Sequence, residues 1–147
     1  MLADEVNDGR SAIFETEDFI TFLPFFCEYP YGVYIAAKRH FQNLTQMNER
    51  EKNNLAQILK ETAGLLDSLF GYTFPYMMCM YQNPVNGEDV SDCYHFHIAF
   101  YPPMRSADKI KFNASSETGA WAHCNPTAPE EKAKELREAH KRFLEKQ

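Results

Sequence analysis

Two histidines separated by a single residue, His95 and His97, have the residue type and spacing in this sequence that most favour chemistry. They lie in the run 92–103, where apolar residues alternate with the histidines and an alanine. This period of two predicts one extended strand with both imidazoles on the same sheet face. An imidazole titrates near neutral pH and can attack phosphorus, so the pair suits acid–base or nucleophilic work. The spacing alone leaves a second interpretation open, in which the two histidines only line a polar face.

The composition limits the classes of protein to consider. The chain has 147 residues, of which 44% are hydrophobic and 14% aromatic, and we expect residues 1–147 to form a single domain with a real core. A formal net charge of -6 argues against general nucleic-acid binding. No apolar run approaches the roughly 20 residues that a bilayer-spanning helix needs. We therefore expect neither nucleic acid nor membrane among the partners.

The cysteines and the first residues are informative about the cellular compartment of the protein. The four cysteines are scattered and form no Cys-x-x-Cys pair: Cys27, Cys79, Cys93 and Cys124. Reduced thiols in a cytoplasmic protein are the simplest account of that pattern. The first five residues include Asp4 and Glu5, unlike the basic start of a signal peptide. A cytoplasmic location is the prediction.

The elements that must position the histidines follow from periodicity and turn residues. Leucines and Ile58 recur at helical spacing between Thr45, a plausible N-cap, and Gly71, a natural helix end. A Thr127-x-x-Glu130 capping box predicts a second amphipathic helix that runs to about Lys146. Besides the histidine strand, the pattern predicts five strands: Ser11–Phe14, Phe19–Leu23, Val33–Ala37, Pro75–Gln82 and Lys109–Phe112.

The order of these elements predicts the fold class. Strands, a long helix, further strands and a closing helix indicate an α+β fold with a mainly antiparallel sheet. The first two strands are expected to form a hairpin. The small and polar segment Asn113–Ala120 has the composition of a ligand-contacting loop.

Several long motifs then resemble a known family. The segments Tyr31–His40 and Tyr94–His97 are similar to the histidine-triad (HIT) fold. More closely, the chain from Asp4 onward resembles the C-terminal half of the galactose-1-phosphate uridylyltransferase family. The matching motifs are Phe22–Phe26, Tyr29–Tyr31, Lys38–His40, Phe74–Met77, His97, Phe100–Pro103, Arg105–Ser106, Glu117–Ala120 and Pro129–Ala133. The resemblance implies a HIT-like α+β domain with one long helix and a C-terminal helix.

Two features of the family pattern are missing from the sequence. Family enzymes contain two copies of this fold, and the N-terminal copy carries a His-Pro-His nucleophile that is absent here. Some members also bind a structural metal through histidines that align with Tyr81, His97 and Ala99. Only one of those imidazoles remains, and zinc prefers about four ligands. We therefore expect no cofactor and no metal site, and the remaining histidines, His40, His123 and His140, are interpreted as surface or loop residues.

The resemblance also implies an activity and a set of substrate contacts. The family reaction passes a uridylyl group from UDP-glucose through a histidine to galactose 1-phosphate, and covalent catalysis divides it into two easier steps. The C-terminal half contributes hexose contacts across a dimer to the partner's catalytic half. Carried over, these contacts fall on Lys111, Phe112, Ala114, Ser116 and Glu117, with a further one near His123. A lysine can neutralise phosphate, and a carboxylate can accept hydrogen bonds from two sugar hydroxyls.

The resulting hypothesis is that the chain is the C-terminal domain of a hexose-1-phosphate uridylyltransferase, either as a fragment or as a separately encoded half. Its expected partners are UDP-hexose or hexose 1-phosphate, a second copy in a homodimer, and a separate N-terminal half. One alternative is a stand-alone histidine-triad hydrolase or transferase, with His97 as nucleophile and His95 assisting. Another is a silent copy that serves as a binding or dimerisation module.

Overall fold

The computed structural model describes residues 2–147, in which short strands alternate with helices. The long helix lies between the third and fourth strands, as the periodicity predicts. The elements in chain order are α1 (Leu2–Asp8), β1 (Ala12–Glu15), β2 (Phe19–Phe22), β3 (Tyr34–Ala37), a 3₁₀ turn (Leu44–Gln46), α2 (Glu49–Phe70), β4 (Met77–Tyr81), β5 (His97–Tyr101), β6 (Met104–Ser106), β7 (Lys109–Ile110), α3 (Ser115–Ala120) and α4 (Pro129–Leu144).

Five strands form one antiparallel sheet in the order β1-β2-β3-β5-β4. Strand β5 lies between β3 and β4, with Ile98 opposite Ile35 and His97 opposite Tyr81. Strands β6 and β7 form a separate two-stranded ribbon. The predicted α+β fold with a mainly antiparallel sheet and a β1–β2 hairpin is confirmed.

The two faces of the five-stranded sheet are covered differently. On one face Ile35, Ile98 and Phe100 belong to the main core, which also contains Leu65 of α2 and Leu136 of α4. Burying a large aliphatic side chain of this kind stabilises the fold by about 1.5–3 kcal/mol. The cluster on the other face consists only of strand residues, namely Ile20, Phe22 and Ala36 with Ala12 and Tyr34 beside them. The open sheet face is therefore where space remains for a ligand.

Helix α2 begins later than predicted. Thr45 lies in the preceding 3₁₀ turn, and Asn48 is the N-cap, in a capping box with Glu51. The Thr45 prediction is wrong because the Asn48 side chain accepts from the Glu51 amide at 2.9 Å and the Glu51 side chain accepts from the Asn48 amide at the same distance. The predicted end is confirmed, since Gly71 has a φ of 76° at the C-cap.

Helix α4 also begins differently. Pro129 occupies its first turn as expected, but the N-cap is Ala128, which makes no side-chain cap hydrogen bond. The Thr127 capping box is wrong because the Thr127 hydroxyl donates instead to Asn125 Oδ1 at 2.7 Å. The helix ends at Leu144, short of Lys146.

The histidine strand is shorter than the alternation predicts. Residues 91–93 form a turn, and β5 begins only at His97, so the placement of His95 in the same strand is wrong. The physical reason lies in the backbone hydrogen bonds. The Tyr94 amide donates to Val90 O, and the Phe96 amide donates to Phe41 O, both at 2.8 Å. These bonds hold 94–96 in a loop, although their side chains continue the period of two.

The segment predicted as a ligand-contacting loop contains helix α3, whose six residues end at Trp121 in the left-handed conformation (φ 53°). The strand expected over Lys109–Phe112 is reduced to Lys109–Ile110. Strand β4 lies at one edge of the sheet, and all five of its residues are exposed. Within residues 2–147, no helix combines the length and apolar character that crossing a bilayer requires.

Candidate functional site

A cavity of about 490 Å³ lies on the open face of the sheet. Strands β2 and β3 and the loop between them supply its apolar wall, β5 supplies His97, and the loops before β5 and after β3 supply the polar rim. The lining residues are Phe22, Phe26, Tyr34, Ala36, His40, Asp92, Cys93, His95 and His97. An apolar pocket with a few convergent polar groups is the usual form of a small-molecule site. His95 and His97 are thus brought together, although they do not share a strand.

The ring of His97 is fixed in both orientation and tautomer. Its Nδ1 lies 2.9 Å from His95 O, and a carbonyl can only accept, so Nδ1 carries the hydrogen. The ring is stacked on Tyr34 (centroids 5.8 Å apart, planes at 9°) and on Tyr81 (4.8 Å, 11°). The lone pair therefore resides on Nε2, to which no group in residues 2–147 donates a hydrogen bond. An imidazole held in this way has the nitrogen that a nucleophile needs.

The imidazole of His95 is fixed through its Nε2 atom, whereas that of His97 is fixed through Nδ1. Its Nε2 lies 2.6 Å from Ala37 O, so Nε2 is protonated and donates. Its Nδ1 faces Nδ1 of His40 at 3.3 Å. Burial lowers the pKa of His95, which favours the neutral ring. The orientation of His95 is thus set by the backbone of β3, and it does not act on His97 through its side chain.

The residues at the family's structural metal positions are Tyr81, His97 and Ala99. Ala99 has no donor atom, and the Tyr81 hydroxyl is hydrogen bonded to the Tyr101 hydroxyl at 2.6 Å. Burial, followed by that bond, raises the pKa of Tyr101, so the phenol stays protonated. The third position is His97, whose two faces are covered by Tyr34 and Tyr81. Tyr34, His97 and Tyr81 thus form an aromatic stack across β3, β5 and β4.

The predicted hexose contacts lie elsewhere, around α3, and two of them bind each other. Lys111 Nζ donates to Glu117 Oε1, and the two side chains are only 5% and 2% exposed. Glu117 also accepts from the Ala114 amide at 2.7 Å and the Cys124 amide at 3.2 Å. The Lys111 ammonium and these amides lower the pKa of Glu117 to about 2. The Lys111–Glu117 ion pair and the two amide hydrogen bonds to Glu117 therefore hold the segment 111–124 together.

The other predicted contacts surround this pair. Phe112 is 81% exposed, and Ala114 is also exposed. Ser116 is half-buried, with its hydroxyl 3.6 Å from the Cys124 thiol. His123 Nδ1 lies 3.5 Å from Glu28 and 3.9 Å from Glu117. The structure thus gathers the predicted set in one region, with the Lys111–Glu117 pair inside and the other predicted contacts around it.

Several residues that matter for the cavity escaped the sequence analysis. His40 is exposed, as predicted, but it also lines the cavity and faces His95. Phe26 and Tyr34 form part of the wall, and only their aromatic character could have indicated this. The expectation for His140 is wrong, because this residue is in α4 and pairs with Glu61 at 2.9 Å while 13% exposed. Arg39 is also engaged structurally, since it pairs with Glu51.

Comparisons with solved structures agree with this architecture. A uridylyltransferase structure superposes with a TM-score of 0.81 at 29% sequence identity, covering 96% of this chain and 48% of the other. A zinc-bound histidine triad family protein from Mycobacterium smegmatis gives a TM-score of 0.67 at 18% identity, covering 99% of this chain and 94% of its own. The second likeness concerns the fold alone, and it supports the HIT-like description.

Sequence comparisons are more specific. A galactose-1-phosphate uridylyltransferase of Thermotoga maritima is 48% identical over 134 residues, covering 91% of this chain and 42% of the relative. The corresponding protein of Saccharomyces cerevisiae is 35% identical over 111 residues, covering 74% of this chain and 30% of the relative. The chain thus spans less than half the length of these curated relatives. Residues 2–144 match the family model described as galactose-1-phosphate uridyl transferase, C-terminal domain, and the chain belongs to that family.

Proposed function

We propose that this chain acts as the C-terminal half of a UDP-glucose–hexose-1-phosphate uridylyltransferase in galactose metabolism. Residues 1–147 would form one HIT-like domain, and a separate N-terminal half would supply the His-Pro-His nucleophile that this sequence lacks. The observation that carries the proposal is the family match over residues 2–144. The four cysteines, all free thiols, support a cytoplasmic location.

The contribution of this half would be hexose and phosphate contacts from the segment 111–124. Lys111 and Glu117 would order the segment, because each neutralises the other while nearly fully buried. The exposed Phe112 and the accessible polar groups of Ser116 and His123 would then meet the substrate. This arrangement supports a binding surface that becomes complete only against a catalytic half.

Assembly would bring that surface to its partner. The exposed edge strand β4 carries Met77, Met78 and Met80, and the loop after β2 exposes Phe25 and Phe26. Exposed apolar edges of this kind favour association. We expect a homodimer through one of these surfaces, measurable by sedimentation at micromolar concentration. A clean monomer of 17.1 kDa would contradict the dimer without affecting the fold.

The proposed function is tested by reconstitution. The purified chain is assayed for conversion of UDP-glucose and galactose 1-phosphate, alone and mixed with the N-terminal half of the Thermotoga maritima relative. We expect no turnover by the chain or by the added half alone, and turnover in the mixture. Turnover by this chain alone would overturn the proposal, because the missing nucleophile would then be unnecessary.

A second candidate function, a histidine-triad nucleotide hydrolase, is favoured by one observation. His97 has its Nδ1 hydrogen committed to His95 O and its Nε2 lone pair available at an apolar cavity. In such an enzyme Nε2 would form a bond to phosphorus as the leaving group departs, and water would then hydrolyse the intermediate. Hydrolysis of nucleoside phosphoramidates by wild type and by His97→Ala tests it, since equal rates would exclude His97 as nucleophile.

The absence of a metal at the family's structural position is likewise a proposal. It is supported by the donor set, in which Ala99 contributes no ligand and the Tyr81 hydroxyl is bonded to Tyr101. Metal analysis after purification tests it. A stoichiometric metal whose loss follows His97→Ala would contradict it.

A further inference from the structure

The loop between β4 and β5 contains the one Asn-Gly pair of the sequence, Asn86-Gly87. Both ends of the loop are anchored to the same residue. The Asn83 amide donates to Gln42 O at 3.0 Å, and the Gln42 side chain donates to Ser91 O at 2.9 Å. Between these anchors, residues 84–88 make no hydrogen bond to any part of the chain that the structure describes. The pair therefore lies in the least constrained part of the loop.

An asparagine that precedes a glycine can react with its own main chain. The amide nitrogen of the next residue attacks Cγ of the asparagine side chain, a C–N bond forms, and ammonia leaves as a five-membered succinimide closes. Water then opens this ring at either carbonyl, which gives aspartate or isoaspartate, and in isoaspartate the main chain runs through Cβ. The reaction consumes only water. The attacking amide must lose its proton, so the reaction is faster at higher pH.

The local structure of the Asn-Gly pair meets each requirement of this reaction. Both residues are exposed, and residues 85–88 form a bend without a hydrogen-bonded turn. Among the described residues, no acceptor engages the Gly87 amide and no partner holds the Asn86 side chain away from the main chain. Glycine has no Cβ to hinder the approach, and no atom lies within 4 Å of the place where a Cβ would stand.

Two other asparagines lack these features. Asn113 is also exposed and lies outside the helices and strands, but the Ala114 amide that follows it donates to Glu117 Oε2 at 2.7 Å. That bond holds the nitrogen that would attack, and alanine adds a Cβ. Asn53 is exposed within α2, where helical hydrogen bonds hold the next amide. The structure thus distinguishes Asn86 from both.

From these contacts we propose that Asn86 is a site of spontaneous succinimide formation, through which the chain converts to aspartyl and isoaspartyl forms. Each product replaces a neutral amide with a carboxylate, in a loop that already carries Glu88 and Asp89. The isoaspartyl product also lengthens the main chain by one methylene between the anchors at Asn83 and Ser91. The inference stands independently of the proposed uridylyltransferase role.

The modified loop forms part of the rim of the open-face cavity. Ser91 O accepts from the side chains of Gln42 and His40, and each of these distances is 2.9 Å. The next residue, Asp92, lines the cavity. Conversion of Asn86 therefore adds charge and main-chain length to the segment that carries these rim contacts.

Peptide mapping of the aged wild-type chain tests the proposal. The folded protein is incubated in neutral and in alkaline buffer, digested, and analysed by chromatography with mass spectrometry, which separates asparaginyl, aspartyl and isoaspartyl peptides. We expect Asn86 to convert at least about tenfold faster than Asn113 or Asn53, and faster in alkaline than in neutral buffer. An Asn86 that stays intact, or that converts no faster than Asn113, would overturn the proposal.

A variant and an unfolded control separate the two causes. Gly87→Ala keeps the asparagine and adds a Cβ, and it should slow conversion at least about tenfold. The space around that Cβ is empty, so the variant should fold like the wild type, which circular dichroism verifies. In urea, conversion of Asn113 should accelerate because the Ala114 amide is released, whereas that of Asn86 should stay near its native rate. Wild-type reactivity in Gly87→Ala, or equal acceleration of both asparagines in urea, would contradict the proposal.

Discussion

The open-face cavity and the segment 111–124 both contain residues with catalytic or binding chemistry, but they use them in opposite ways. In the cavity, backbone carbonyls fix the tautomers of His95 and His97 and leave one ring nitrogen of each without a hydrogen. In the segment, Lys111 and Glu117 satisfy each other, and backbone amides occupy the carboxylate further. Each of the two histidines therefore keeps one ring nitrogen without a hydrogen, whereas the Lys111–Glu117 pair serves mainly the structure.

The difference is also electrostatic. Glu117 has a lowered pKa because Lys111 and two amides stabilise its charged form. His95 has a lowered pKa because burial disfavours its charged form. The first shift strengthens an ion pair, and the second keeps a base unprotonated near neutral pH. From residue type alone, Glu117 and His95 would be expected to be equally available to a ligand.

The largest stability effect should come from breaking the buried ion pair. Lys111→Met leaves the Glu117 carboxylate without its cation, and we expect a clear fall in the free energy of unfolding. The matched control is Lys52→Met, whose lysine pairs with Glu49 while 54% exposed, and it should change stability by less than about 1 kcal/mol. Urea denaturation measures both. Equal effects would show that the segment 111–124 does not depend on the pair.

Acid should weaken the same pair. The pKa of Glu117 is lowered to about 2 in the folded chain, whereas an unfolded glutamate titrates near 4.3. Its stabilising contribution is therefore complete above about pH 5 and is lost as the pH falls towards 2. Thermal melts across this range should show a steeper loss in wild type than in Glu117→Gln. Parallel curves would indicate that the carboxylate contributes no pH-dependent stability.

A smaller effect is expected from the stack beneath the cavity. Tyr81→Ala removes the ring stacked on His97 and the hydroxyl bond to Tyr101, and should cost about 1–2 kcal/mol. Tyr81→Phe keeps the stack and removes only the hydroxyl, so we expect a loss of about 0.5–1 kcal/mol. A larger loss in Tyr81→Phe than in Tyr81→Ala would contradict the role assigned to stacking.

Much of the fold follows from local sequence, but the site depends on bonds that the sequence does not display. Periodicity predicted α2 and its end at Gly71, and motif resemblance gave the family. Neither periodicity nor resemblance could reveal that the Phe96 amide donates to Phe41 O. This bond keeps residues 94–96, including His95, outside strand β5. Nor could they reveal that His40 meets His95 across 55 residues, because that contact arises from strand order. The N-cap of α2 is Asn48 and not Thr45, and the sequence does not distinguish the two because their side chains have similar capping propensities.

The most direct test of the account is whether this chain forms a covalent intermediate on its own. Purified wild-type chain is incubated with UDP-glucose and analysed by intact-mass spectrometry, with His97→Ala as the control. Because the uridylyl-carrying histidine is proposed to lie in the N-terminal half, we expect no uridylyl adduct on either protein. A stoichiometric adduct on the wild type that is lost in His97→Ala would contradict it, and would make the cavity of this chain the catalytic centre.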